Sequence, residues 1–134
     1  MFEEMFDEND LEWTEHRLRV HVMTLKKSED LKGLFRLYGT LAHVLARRGN
    51  HLAAQDALND AEFLVVEHNW RGQPEEIWCH YDRAMVFHEF GRPEVVQRNL
   101  ARAQELLQPE RDEELAQLIE TARAKLLDSS PSAS

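Results

Sequence analysis

Leu37-Tyr38-Gly39-Thr40-Leu41-Ala42-His43-Val44-Leu45-Ala46-Arg47-Arg48-Gly49-Asn50-His51-Leu52-Ala53-Ala54-Gln55-Asp56-Ala57-Leu58 is the stretch that decides the fold. Leu37, Tyr38, Leu41 and Leu45 recur at the spacing that puts them on one face of a helix. Gly49 supplies the left-handed residue that ends such a helix, and Asn50 is suited to cap the next one. Ala42, Ala54 and Ala61 are small enough to let two helix axes approach to roughly 8–9 Å. Much of this pattern returns 42 positions later, over residues 77–107, in Ala84, Gly91, Val96, Leu100 and Ala103.

Working outward, glycine and proline divide the remaining chain into helix-sized intervals. A first helix is expected over about 10–27, with Leu11, Leu18, Val22 and Leu25 on one stripe and Asn9 or Asp10 as cap. A second is expected over 30–48, with Leu34 joining its inward face. The third carries Leu52, Leu58, Ala61, Leu64 and Val65 and fades at His68-Asn69. Trp70 to Pro74 is expected to be a loop. A fourth helix then spans 74–90, with Pro74 in its first turn. Helix five begins at Pro93 and ends before Pro109, with Val96, Leu100, Ala103 and Leu107 inward. Helix six, over 111–127, turns Leu115, Leu118, Ile119, Ala122 and Leu126 inward. Residues 128–134, rich in serine, have nothing to bury and are expected to be a disordered tail. No stretch alternates with a period of two between hairpin turns, so the expected class is all-α, with about six antiparallel helices.

The chain has 134 residues and a net charge of −9, distributed unevenly. Residues 1–15 carry seven acids and no base, 16–55 carry eight bases against Glu29 and Asp30, and 56–134 carry sixteen acids against eight bases. An acidic whole argues against nucleic-acid binding, which needs a net basic footprint. The basic middle suits an acidic peptide. Segment 1–9, with Phe2, Met5 and Phe6 among its acids, suits docking on a basic groove of its own chain or a neighbour. No apolar run approaches the roughly 20 residues that cross a bilayer. The acidic start lacks the pattern of a secretory signal, and Cys79 is the only cysteine, so a reducing cytoplasm is the expected location.

The repeated pattern resembles the tetratricopeptide repeat family. In the first repeat, over about 34–66, Tyr38, Leu41-Ala42, Leu45, Gly49, Ala54, Leu58 and Ala61 stand at that family's intervals. In the second, over about 76–109, Ala84, Phe87, Gly91, Val96, Leu100, Ala103 and Pro109 match. There His80 stands where the aromatic belongs and Arg83 where leucine belongs. The period of 42 exceeds the usual 34 and is similar to the longer repeats of kinesin light chains and of bacterial regulators. The resemblance implies an α-solenoid of helix-turn-helix repeats over 10–127, with helices 10–27 and 111–127 as end caps.

It also implies a site, since in this family ligands lie along the first helix of each repeat. By position, the first repeat offers Arg36, His43 and Arg47 beside Gly39, and the second offers Trp78, Tyr81, Met85 and His88. Guanidinium groups beside aromatic area suit carboxylate recognition combined with apolar anchoring. At helical spacing, Trp78, Tyr81 and Met85 equally suit a core. Gly39, His43 and Asp82 stand where chaperone-binding members carry the lysines and asparagines of their carboxylate clamp, so that clamp is not reproduced.

Little points to chemistry. His80 and His88 are eight apart, roughly 12 Å along a helix, too far to share a metal. Cys79 and His80 are neighbours in sequence and therefore point to different sides of a helix. The five glycines are scattered and form no phosphate-cradling loop. No catalytic residue, metal or cofactor is expected. The expected function is a protein–protein interaction adaptor, and the alternatives are a self-associating module, such as a homodimer, or a small ligand-responsive regulatory subunit.

Overall fold

The computed structural model describes residues 9–126. Segment 1–8 and residues 127–134 lie outside these, so the acidic leader, the last position of the sixth expected helix and the expected tail are not addressed. Among the described residues there are six helices and no strand: α1 (Leu11–Ser28), α2 (Leu31–Arg47), α3 (His51–Glu67), α4 (Pro74–Glu89), α5 (Pro93–Leu106) and α6 (Glu113–Leu126). The fold is all-α.

The helix ends follow local chemistry. Asp10, Asp30 and Asn50 each accept a hydrogen bond from the backbone N–H three residues on, at Trp13, Gly33 and Ala53. Lys26 and Lys27 occupy the last turn of α1, where the helix dipole favours cations. Between α5 and α6, Asp112 turns its carboxylate back onto the Gln108 N–H (2.8 Å), while its carbonyl accepts from Ala116 (2.8 Å). This local alternative to helix is why α6 starts at Glu113 instead of 111.

The chain divides into two compact units, the first ending at Asn69 and the second starting at Trp70. In the first, α2 packs against both α1 and α3. Ten of its residues are buried, from Leu34 to Ala46, and at about 100° per residue they cover roughly 220° of its circumference. Ala42, Ala54 and Ala61 are all buried, as close helix contact requires. In the second unit, α4 packs on α5 and α6 around Ile77, Ala84, Val96, Leu100, Ala103, Leu115, Ile119 and Ala122.

Leu52, at the start of α3, is 78% exposed. The buried stripe of α3 is Ala54, Ala57, Leu58, Ala61, Leu64 and Val65. Leu52 lies nine positions from Ala61, and therefore about half a turn away from that stripe.

The two hairpins repeat in detail. Gly49 (φ 79°) and Gly91 (φ 71°) both take left-handed geometry. Asn50 N–H donates to the Leu45 carbonyl and Arg92 N–H to that of Phe87; Gly49 donates to Ala46 and Gly91 to His88. Both of these turn bonds in α2–α3 thus have a counterpart 42 residues on in α4–α5, whereas the His51 N–H to Gly49 bond cannot recur, because Pro93 has no N–H. Burial repeats at the same offset, in Ala42 and Ala84, Leu58 and Leu100, and Ala61 and Ala103.

Gly49→Ala is expected to lower stability by about 1–2 kcal/mol, because a Cβ is disfavoured at that φ, and Asn50→Ala by about 1 kcal/mol through the lost cap. Urea denaturation followed by far-UV circular dichroism checks both.

Candidate functional site

The α2 candidates share one stripe. Arg36 and His43 are half-buried and Arg47 is exposed, within the narrow sector of α2 that the first unit's core leaves uncovered. In the second unit, Trp78, Tyr81, Met85 and His88 fall within about 80° of α4. Trp78, Tyr81 and Met85 are half-buried and pack on the core of that unit, while His88 is exposed. Trp78 and Tyr81 meet edge to face, with ring centroids 5.6 Å apart. Burial raises the Tyr81 hydroxyl above its ordinary pKa, and the neighbouring Asp82 adds to the shift.

On the opposite side of α2 the first unit has an open cleft of about 400 Å³ between α1 and α3. Its floor is Tyr38, Leu41, Leu45, Val22 and Ala57. Arg19 and Lys26 stand on the α1 wall, and Asp56 and Asp60 on the α3 wall. Burial raises the pKa of Asp60; Lys26 across the cleft opposes that shift and Asp56 reinforces it. The cleft therefore has an apolar base between walls of opposite sign, a chemistry suited to the apolar face of a helix or peptide with charges along its edges. Sequence reasoning missed it, because the inward residues of α2 are legible as core but not as core left partly uncovered.

Two carboxylates hold these elements. Glu15 on α1 accepts from Arg19 (2.8 Å) and from Arg48 at the end of α2 (2.6 Å). Burial works to raise its pKa, and the two guanidinium groups outweigh it, leaving the carboxyl below its ordinary range. In the second unit, Asp112 (side chain 1% exposed) takes two bonds from Arg111, at 2.7 and 2.8 Å. Arg111 also donates to the Gly72 carbonyl (2.9 Å), tying the loop before α4 to the α5–α6 corner. The Arg111 bonds lower the Asp112 pKa against the effect of burial, aided by the Gln108 N–H.

His80, in the second repeat's aromatic position, is half-buried and its Nδ1 lies 3.0 Å from Asn99 Oδ1. A polar pair thus occupies this half-buried position of α4. Among the described residues, no group of three or more His, Cys, Asp or Glu side chains is placed to hold a metal ion, and no helix is long and apolar enough to cross a membrane.

Comparison of the chain with protein-family models, with curated proteins and with solved structures gives no match.

Acid tests the two carboxylate ties. A depressed carboxyl pKa contributes stability that is complete above the ordinary values, 4.5 for Glu15 and 3.8 for Asp112, and that disappears as pH falls through the lower folded values. Glu15→Gln with Asp112→Asn is therefore expected to be less stable at neutral pH and to lose less on acidification. Urea midpoints at neutral and acidic pH read both effects.

Proposed function

We propose that the chain is a cytoplasmic adaptor of the tetratricopeptide kind, an α-solenoid module that binds a segment of another protein and turns over no substrate. The observation that carries this reading is the repetition itself: the glycine turn with two of its backbone bonds, and the buried pairs Ala42/Ala84, Leu58/Leu100 and Ala61/Ala103, recur 42 residues apart in α2–α3 and α4–α5. A helical hairpin repeated in this way cannot bury both faces alone, and such arrays serve mainly as extended binding surfaces.

The resemblance puts the partner along Arg36, His43 and Arg47 of α2 and along Trp78, Tyr81, Met85 and His88 of α4. Support for the first set is that these α2 positions escape full burial where ten neighbours do not. The cleft between α1 and α3 supplies a second seat. Its walls favour a partner segment with acids facing Arg19 and Lys26 and bases facing Asp56 and Asp60.

Capture from native lysate separates these seats. Arg36→Glu with Arg47→Glu reverses the α2 stripe. Lys26→Glu with Asp60→Lys swaps one charge across the cleft and cancels the net charge of each wall. A partner held at one seat is expected to be lost by about tenfold or more from the matching variant alone. A protein retained equally by both variants would sink the proposal.

A further inference from the structure

Among the described residues, the exposed large apolar side chains are Trp13, Val20 and Met23 on α1 and Leu52, Phe63 and Val66 on α3. All six lie in the first unit, and their spacing is not random. At about 100° per residue, the α1 trio falls within roughly 80°, opposite the buried Leu18 and Val22. The α3 trio falls within roughly 60°, opposite the buried Ala61. Both helices therefore carry an apolar stripe on each side, the mark of a helix covered on both.

The charges beside the stripes have opposite sign. Helix α1 carries Arg17, Arg19, Lys26 and Lys27 against Glu12 and Glu15, a net +2; α3 carries Asp56, Asp60, Glu62 and Glu67 and no lysine or arginine, a net −4. Arg17 flanks the α1 stripe and Lys27 continues it at the C-terminal end, with Glu12 as an acid beside its start, while Asp56 and Glu67 flank the stripe of α3. The lengths agree as well, at 18 and 17 residues.

Because α1 and α3 flank α2, one copy cannot bring its own two outer stripes together. A second copy can. We propose that the chain self-associates, with α1 of one copy lying along α3 of another. Apolar stripe meets apolar stripe, and Arg17 and Lys27 face Asp56 and Glu67. Like signs oppose the alternative pairings, α1 on α1 and α3 on α3. This contact centres on the outer faces of the two helices, with Met23 and Asp56 shared with the rim of the cleft.

The test is light scattering after size exclusion over a wide range of concentration, with circular dichroism to confirm folding. The wild-type chain is expected to exceed monomer mass. Arg17→Glu with Lys27→Glu, and Asp56→Lys with Glu67→Lys, should each weaken association by about tenfold or more. Mixing these two variants should restore it, since the reversed faces again complement each other. Val20→Asn with Phe63→Asn should weaken association with no change of net charge, and covers the case of a reversed variant that does not fold. A wild-type chain that stays monomeric throughout overturns the proposal, as do variants that associate like wild type. Arg17, Lys27, Val20 and Phe63 lie outside the α2 stripe and the cleft, so the variants at these positions are read independently of lysate capture.

Discussion

The first unit rests on the burial of α2 from two directions. A helix covered over more than half of its circumference must be apolar across several adjacent stripes, which explains why Leu34, Phe35, Leu37, Tyr38, Leu41, Val44 and Leu45 crowd one segment. Each fully buried side chain of this size contributes about 1.5–3 kcal/mol. The small residues Gly39 and Ala42 are buried on the same helix. Only the sector containing Arg36, His43 and Arg47 is exempt, so polar residues on α2 collect there.

Electrostatics then fix what packing leaves loose. Glu15 fastens the middle of α1 to the end of α2, where a terminal guanidinium also answers the negative end of the helix dipole. Asp112 performs a comparable task at the α5–α6 corner, satisfying the Gln108 N–H in a turn that also contains Pro109. Both are short ties between charged partners, Glu15–Arg48 joining residues 33 apart and Arg111–Asp112 joining neighbours, and both are stronger than their neutral equivalents. Asp60 works in the other direction, as a carboxylate that burial makes less comfortable beside the cleft.

Most of the helical framework was legible in the sequence. Aspartate and asparagine caps, left-handed glycines and Pro74 and Pro93 marked element boundaries to within a residue or two, because those signals act through local backbone bonds. The recurrence at 42 residues was legible for the same reason. Less was legible at the surface. Leu52 is apolar and follows the Asn50 cap, yet the alanine-rich stripe of α3 turns a different face toward α2. Trp13, Val20, Met23, Phe63 and Val66 gave a signal only as a second periodicity, half a turn from the core one. The cleft gave none, since an uncovered patch of floor depends on how two other helices diverge.

The loop before α4 is fastened to the second unit. The Gly72 N–H donates to Glu76 (2.8 Å) and the Gly72 carbonyl accepts from Arg111, so both polar groups of this residue are engaged by later parts of the chain. The compact units part just ahead of it, between Asn69 and Trp70. In evolutionary terms that junction is a seam: duplication or exchange of the downstream cassette there would carry the anchored loop along whole.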